Sequence, residues 1–302
     1  LLGLLLILLT KINAPAQPAG SHFDESKVPS FILPDALISH SGKSISTVED
    51  WENIRRPEII NLFKTYVYGK EAIGKPANMT WSEIERVEAD TSMALYKKVQ
   101  ILLDGKAFGP KITLEISLPK STKPVPVFLF LSRSHQPELL LERGYGLVTF
   151  NPNEFEPDNK TSAFESGIRS HFISPDKTEL ADDDWGTLAA WAWGASRAMD
   201  YLQTDFEIAS NMISILGFSR TGKAANWAGA KDERFAIVFS GEAGCGGATI
   251  LRRGYGETVK AINNYAPHWF NANFKKYIDR EENLPLDFHM LMSLVAPRPL
   301  YI

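Results

Sequence analysis

The sequence predicts an α/β fold, a three-layer α/β/α sandwich built on a mostly parallel sheet. Three observations carry this expectation. β-branched or apolar runs bounded by Gly and Pro recur along the chain, and helical patterns alternate with them. The run MISILG at 212–217 passes directly into a turn and then a helical pattern. Strands that alternate with helices imply parallel pairing with both sheet faces covered, and such sheets carry their sites at the carboxyl ends of the strands. A chain of 302 residues exceeds the usual domain of roughly 100–200 but still fits one large α/β domain.

Taken in order, Leu1 to Leu9 is an apolar run too short to span a bilayer, which needs about 20 residues. Lys11 and the small-x-small step Ala14-Pro15-Ala16 follow, as at the end of a signal sequence. We therefore expect 1–16 to be part of a signal peptide and 17–29 a flexible segment. Residues 30–302 would form the folded domain, with no stable membrane insertion and a secreted or periplasmic, bacterial location. Trp51 to Tyr68 has apolar residues at helical spacing and stops at Gly69. Val99–Leu103, Lys111–Ser117, Val125–Leu131 and Tyr145–Phe150 read as strands. A long helical pattern covers Gly186–Gln203. Then come the strand 212–217, a helix from Thr221, the strand Phe235–Ser240 and a last strand in Pro299–Ile302.

Composition narrows the function. Apolar residues make up 44%, charged residues 23%, and the formal net charge is −4, so nothing invites nucleic acid. Cys245 is the only cysteine, which excludes an internal disulfide framework and a Cys-based zinc site. Asp182-Asp183-Asp184 stands before a helix, where acidic residues usually act as caps, so no metal is expected. Trp185 and Trp193 are eight apart, which suits core packing better than a sugar platform.

The chemistry concentrates in Gly217-Phe218-Ser219-Arg220-Thr221-Gly222-Lys223. A serine on a sharp strand-to-helix turn projects its Oγ above the sheet, and the helix N-terminus supplies N–H donors. The bland alternative makes Ser219 an ordinary N-cap. This heptapeptide resembles the G-C-S-R-x-G-K signature of the glucuronoyl esterases, carbohydrate esterase family 15, with Phe218 replacing the usual cysteine. Arg55-Arg56-Pro57-Glu58, Tyr68-Gly69, Asp184-Trp185-Gly186, Trp191-Ala192-Trp193-Gly194 and Gly244-Cys245-Gly246-Gly247-Ala248 are similar to bacterial members. So are Gly256-Glu257-Thr258, Pro267-His268-Trp269-Phe270, Leu284-Pro285-Leu286-Asp287 and Ala296-Pro297-Arg298-Pro299.

The resemblance implies an α/β-hydrolase that cleaves 4-O-methyl-glucuronoyl esters between xylan and lignin alcohols through an acyl-enzyme, without a cofactor. It implies Ser219 as nucleophile, Glu242 as the acid and Arg220 as an oxyanion partner, with Lys223 and Glu257 contacting the sugar. An acetyl xylan or other polysaccharide esterase is the alternative within enzymes, and a non-catalytic carbohydrate-binding relative the alternative outside them. In such hydrolases the histidine comes last in chain order. His22, His40 and His171 have nothing to single them out, and His135 follows a strand where no side chain is required. His268 is as well explained by structure. His289 precedes the last strand, so the base is expected beyond Ile302, with His289 as the fallback.

Overall fold

The computed structural model describes residues 20–88, 94–160, 166–173, 177 and 179–302. The expected signal segment 1–16 lies outside the described residues. No helix among those described is long and apolar enough to cross a membrane.

Eight strands form one sheet: β1 Thr80–Glu88, β2 Ala94–Leu102, β3 Lys111–Pro119, β4 Val125–Leu131, β5 Gly146–Phe150, β6 Ile208–Phe218, β7 Val238–Gly241 and β8 Leu300–Tyr301. Their spatial order is β1-β2-β3-β5-β4-β6-β7-β8. The pairs from β1 through β3 to β5 are antiparallel, and those from β5 through β4, β6 and β7 to β8 are parallel. The parallel half contains strands buried on both faces. β5 is buried at all five positions, whereas β2 alternates buried and half-buried positions as a strand with one wetter face should.

Five helices matter for the site: α1 Arg56–Tyr66, α2 Thr187–Leu202, α3 Arg220–Lys231, α4 Val259–Tyr265 and α5 Phe288–Ser293. A π-helical stretch, Trp51–Arg55, leads into α1. Every residue of α2 except Ser196 is buried, so this helix is a core element and its apolar composition needs no amphipathic stripe. α3 packs on β6, β7 and α2. Trp185 and Trp193 do pack edge to face, 6.1 Å apart, although Trp185 precedes α2.

One expectation is corrected. Asp182, Asp183 and Asp184 do not cap α2: Gly186 occupies the N-cap position without a side-chain bond. The three carboxylates pair with lysines instead, Asp182 with Lys276, Asp183 with Lys70 and Asp184 with Lys177. The turn needs Gly186 because a Cβ there would sit 2.3 Å from the Trp269 carbonyl oxygen, so no capping side chain fits.

Candidate active site

Ser219 stands between β6 and α3 with φ 55° and ψ −122°. A non-glycine residue in that region is strained by about 1–3 kcal/mol and persists only where its surroundings hold it. The surroundings here are tight. A Cβ on Gly217 would lie 2.1 Å from the Thr221 carbonyl oxygen, and one on Gly222 would lie 2.6 Å from that of Gly241. Both glycines let α3 start against the strand ends. Ser219 occupies the N-cap position, yet its side chain makes no capping bond and the residue is exposed. The bland alternative therefore fails, and the hydroxyl is available. The first-turn amides of α3 have no intrahelical acceptor and stand beside it.

Glu242 follows β7 and is exposed, with φ 48°. Ser219 N–H donates to the Gly241 carbonyl at 2.8 Å, so the two strained residues sit at adjoining strand ends joined by this bond. Arg220, half-exposed, forms an ion pair from Nε to Asp158 Oδ2 at 2.8 Å. Asp158 Oδ1 meanwhile faces His268 Nε2 and accepts from Trp269 Nε1, each at 2.7 Å. Burial pushes the Asp158 carboxyl up, but these bonds and the Arg220 charge outweigh it and hold the group below the usual carboxylate range. Asp158 was not legible as a site residue. Its partners lie 62 and more than 100 positions away, and no local motif marks it.

Lys223 is buried at 3% exposure, and its ammonium donates to the carbonyls of Ala243 and Cys245. Glu257 lies 3.8 Å from the same nitrogen and also accepts the Cys245 amide. Burial lowers the lysine and raises the glutamic acid, each against the pull of the other's charge. The predicted sugar contacts thus share one corner, but Lys223 is already engaged with the loop that carries Glu242. Cys245 is buried and burial pushes its thiol up, which fits a packing role.

None of the six histidines hydrogen-bonds Ser219 or Glu242 among the described residues. His289 Nε2 meets the Pro34 carbonyl at 2.8 Å, and His171 approaches Asp104. His135 serves the fold rather than Ser219. Its ring bridges the hydroxyls of Ser117 and Thr149 at 2.8 and 2.9 Å, tying the segment after β4 to β3 and β5. Burial holds that imidazole below its ordinary range despite Glu115 and Glu138.

Comparison with known proteins places the chain in one family. The family described as glucuronyl esterase, fungi, matches residues 100–302. Carbohydrate esterase MZ0003, from an unknown prokaryotic organism, is 36% identical over 95% of this chain and 76% of its own length. The 4-O-methyl-glucuronoyl methylesterase of Schizophyllum commune is 28% identical over 89% of this chain, which spans 66% of that enzyme. Among solved structures, a glucuronoyl esterase from Solibacter usitatus superposes with a TM-score of 0.85 at 39% identity, covering 91% of this chain and 80% of its own. With an α/β sheet, a strained serine at the β6–α3 turn and these matches together, the chain belongs to the glucuronoyl esterase family, carbohydrate esterase family 15.

Proposed function

We propose that this protein is a serine esterase that hydrolyses 4-O-methyl-glucuronoyl esters joining glucuronoxylan to lignin alcohols. The observation that carries the site assignment is the pair of left-handed, non-glycine residues, Ser219 and Glu242, at neighbouring strand ends. In this reading Ser219 Oγ attacks the uronate ester carbonyl, and the alcohol leaves to give an acyl-enzyme that water cleaves. A histidine takes the serine proton, and Glu242 orients that histidine and stabilises its charged form. The Arg220 amide and guanidinium face the developing oxyanion. Lys223 and Glu257 line the sugar end, Lys223 also fixing the Glu242 loop. The substrate is a polymer that cannot cross a membrane, which suits a secreted or periplasmic enzyme.

Benzyl glucuronate and an acetylated xylan separate the two ester classes. The full-length protein is expected to have the higher kcat/KM on the glucuronate ester. Preference for the acetyl ester would assign it to the acetyl xylan alternative. The Asp158–Arg220 ion pair gives a second test. Asp158→Asn keeps the side chain's size but removes the charge that anchors Nε. The guanidinium then loses its fixed aim at the oxyanion, and kcat is expected to fall about 10²-fold, near the loss for one oxyanion donor, with KM little changed. Steady-state kinetics on benzyl glucuronate check this, and an unchanged kcat would show that Arg220 needs no anchor.

A further inference from the structure

The segment after β7 is an unusual piece of backbone. Glu242, Gly244 and Gly246 have φ of 48°, 50° and 76°, three left-handed residues within five. Such a loop holds its shape only if its carbonyls are tied down. Lys223 holds those of Ala243 and Cys245, and Asn226 Nδ2 donates to Gly247 at 2.8 Å. Both of these residues belong to α3, the helix that carries the Ser219 turn.

One tie comes from elsewhere. The Tyr68 hydroxyl donates to the Gly246 carbonyl at 2.9 Å. Tyr68 is fully buried just past the end of α1, and its ring stacks on Trp227 with centroids 4.7 Å apart and planes 11° from parallel. Its own backbone is clamped as well. Gly186 N–H donates to the Tyr68 carbonyl at 2.8 Å, and Gly69, at φ 92°, lies so close to the next segment that a Cβ would be 2.3 Å from the Asp184 carbonyl oxygen. The Phe270 ring completes the surroundings, 6.0 Å from that of Tyr68, and a Cβ on Gly246 would strike it. Three other stretches of the chain, around residues 68, 185 and 270, therefore meet at the Gly246 end of the Glu242 loop.

We infer that Tyr68 is a positioning residue for Glu242. It is too deeply buried to touch substrate, and its hydroxyl fixes the Gly246 corner so that the strained turn presents the carboxylate at the end of β7. The inference rests on the proposed role of Glu242, and its test is built to separate the two.

Tyr68→Phe removes one oxygen and leaves the Trp227 stack. In the full-length protein, assayed cold on benzyl glucuronate, kcat is expected to fall on the order of fivefold with KM held within twofold. The acid limb of the kcat/KM–pH profile should move with it, because that limb reports the base that Glu242 supports. In a Glu242→Gln background the same change should have no further effect on kcat, since its only route to the chemistry is gone. Wild-type kcat in Tyr68→Phe, or an equal loss in both backgrounds, would overturn the inference. If Glu242→Gln itself leaves kcat intact, the assignment of the acid fails instead. Should the phenylalanine variant not give a cooperative melt, 4-fluorophenylalanine at position 68 fills the hydroxyl's space without donating and carries the same cycle.

Discussion

Ser219→Ala is expected to reduce kcat on benzyl glucuronate by about 10⁶-fold, to the residual rate that binding and oxyanion contacts alone sustain. The reasoning is structural as well as chemical. Alanine has the same Cβ and so the same strain at φ 55°. Ser219 makes no capping bond, so removing its hydroxyl leaves α3 intact. Stability should therefore hardly change while activity disappears, and a thermal melt beside the kinetics checks both halves. A companion variant reads the strain itself. Ser219→Gly is equally dead, but relief of about 1–3 kcal/mol of left-handed strain exceeds the roughly 0.5–1 kcal/mol entropic cost of glycine. It should melt above Ser219→Ala. Hydrolysis retained in Ser219→Ala would remove the serine mechanism altogether, and bound glucuronate without turnover in the parent protein would favour a binding role.

The Ser219 turn was readable because one short stretch encodes it: a buried strand, two small residues forced by close backbone approach, and a helix. The antiparallel edge was not. β1 is exposed at eight of nine positions and carries a register shift between Glu83 and Glu85, so neither alternation nor apolar content marks it. β2 begins at Ala94, five residues before the apolar run that announces it. Its hidden half contains Lys97, a buried cation that pairs with Asp205 at 2.6 Å and Glu207 at 2.5 Å. A lysine at a core position reads as surface until its partners, more than 100 residues away, are in view. The site divides along the same line. Ser219, Arg220 and Lys223 share one turn and its helix. The contacts of Asp158 with Arg220 and of Tyr68 with Gly246 exist only once the chain is folded. Lys223 adds what the resemblance alone did not show: its ammonium donates to two carbonyls of the loop that carries Glu242.

Glu242→Gln should cost about 10⁴-fold in kcat, the loss seen when a triad acid becomes its amide and the histidine is held in the wrong tautomer. Glutamine has the same length and can take the same left-handed turn, so the loop anchored by Lys223, Asn226 and Tyr68 should stay in place. KM should change little, because the carboxylate acts on the histidine and not on the ester. The competing carboxylate is Glu257, which lies 3.8 Å from the Lys223 ammonium. Its pairing ties it to Lys223 and the Cys245 amide, so Glu257→Gln should act mainly on KM. Parallel kinetics of the two variants decide between them. A large kcat loss in Glu257→Gln with little in Glu242→Gln would transfer the acid's role, and the strain at Glu242 would then need another explanation. The opposite pattern leaves one account: the fold holds two residues in disfavoured backbone at adjoining strand ends because the reaction needs one to attack and the other to steady the base.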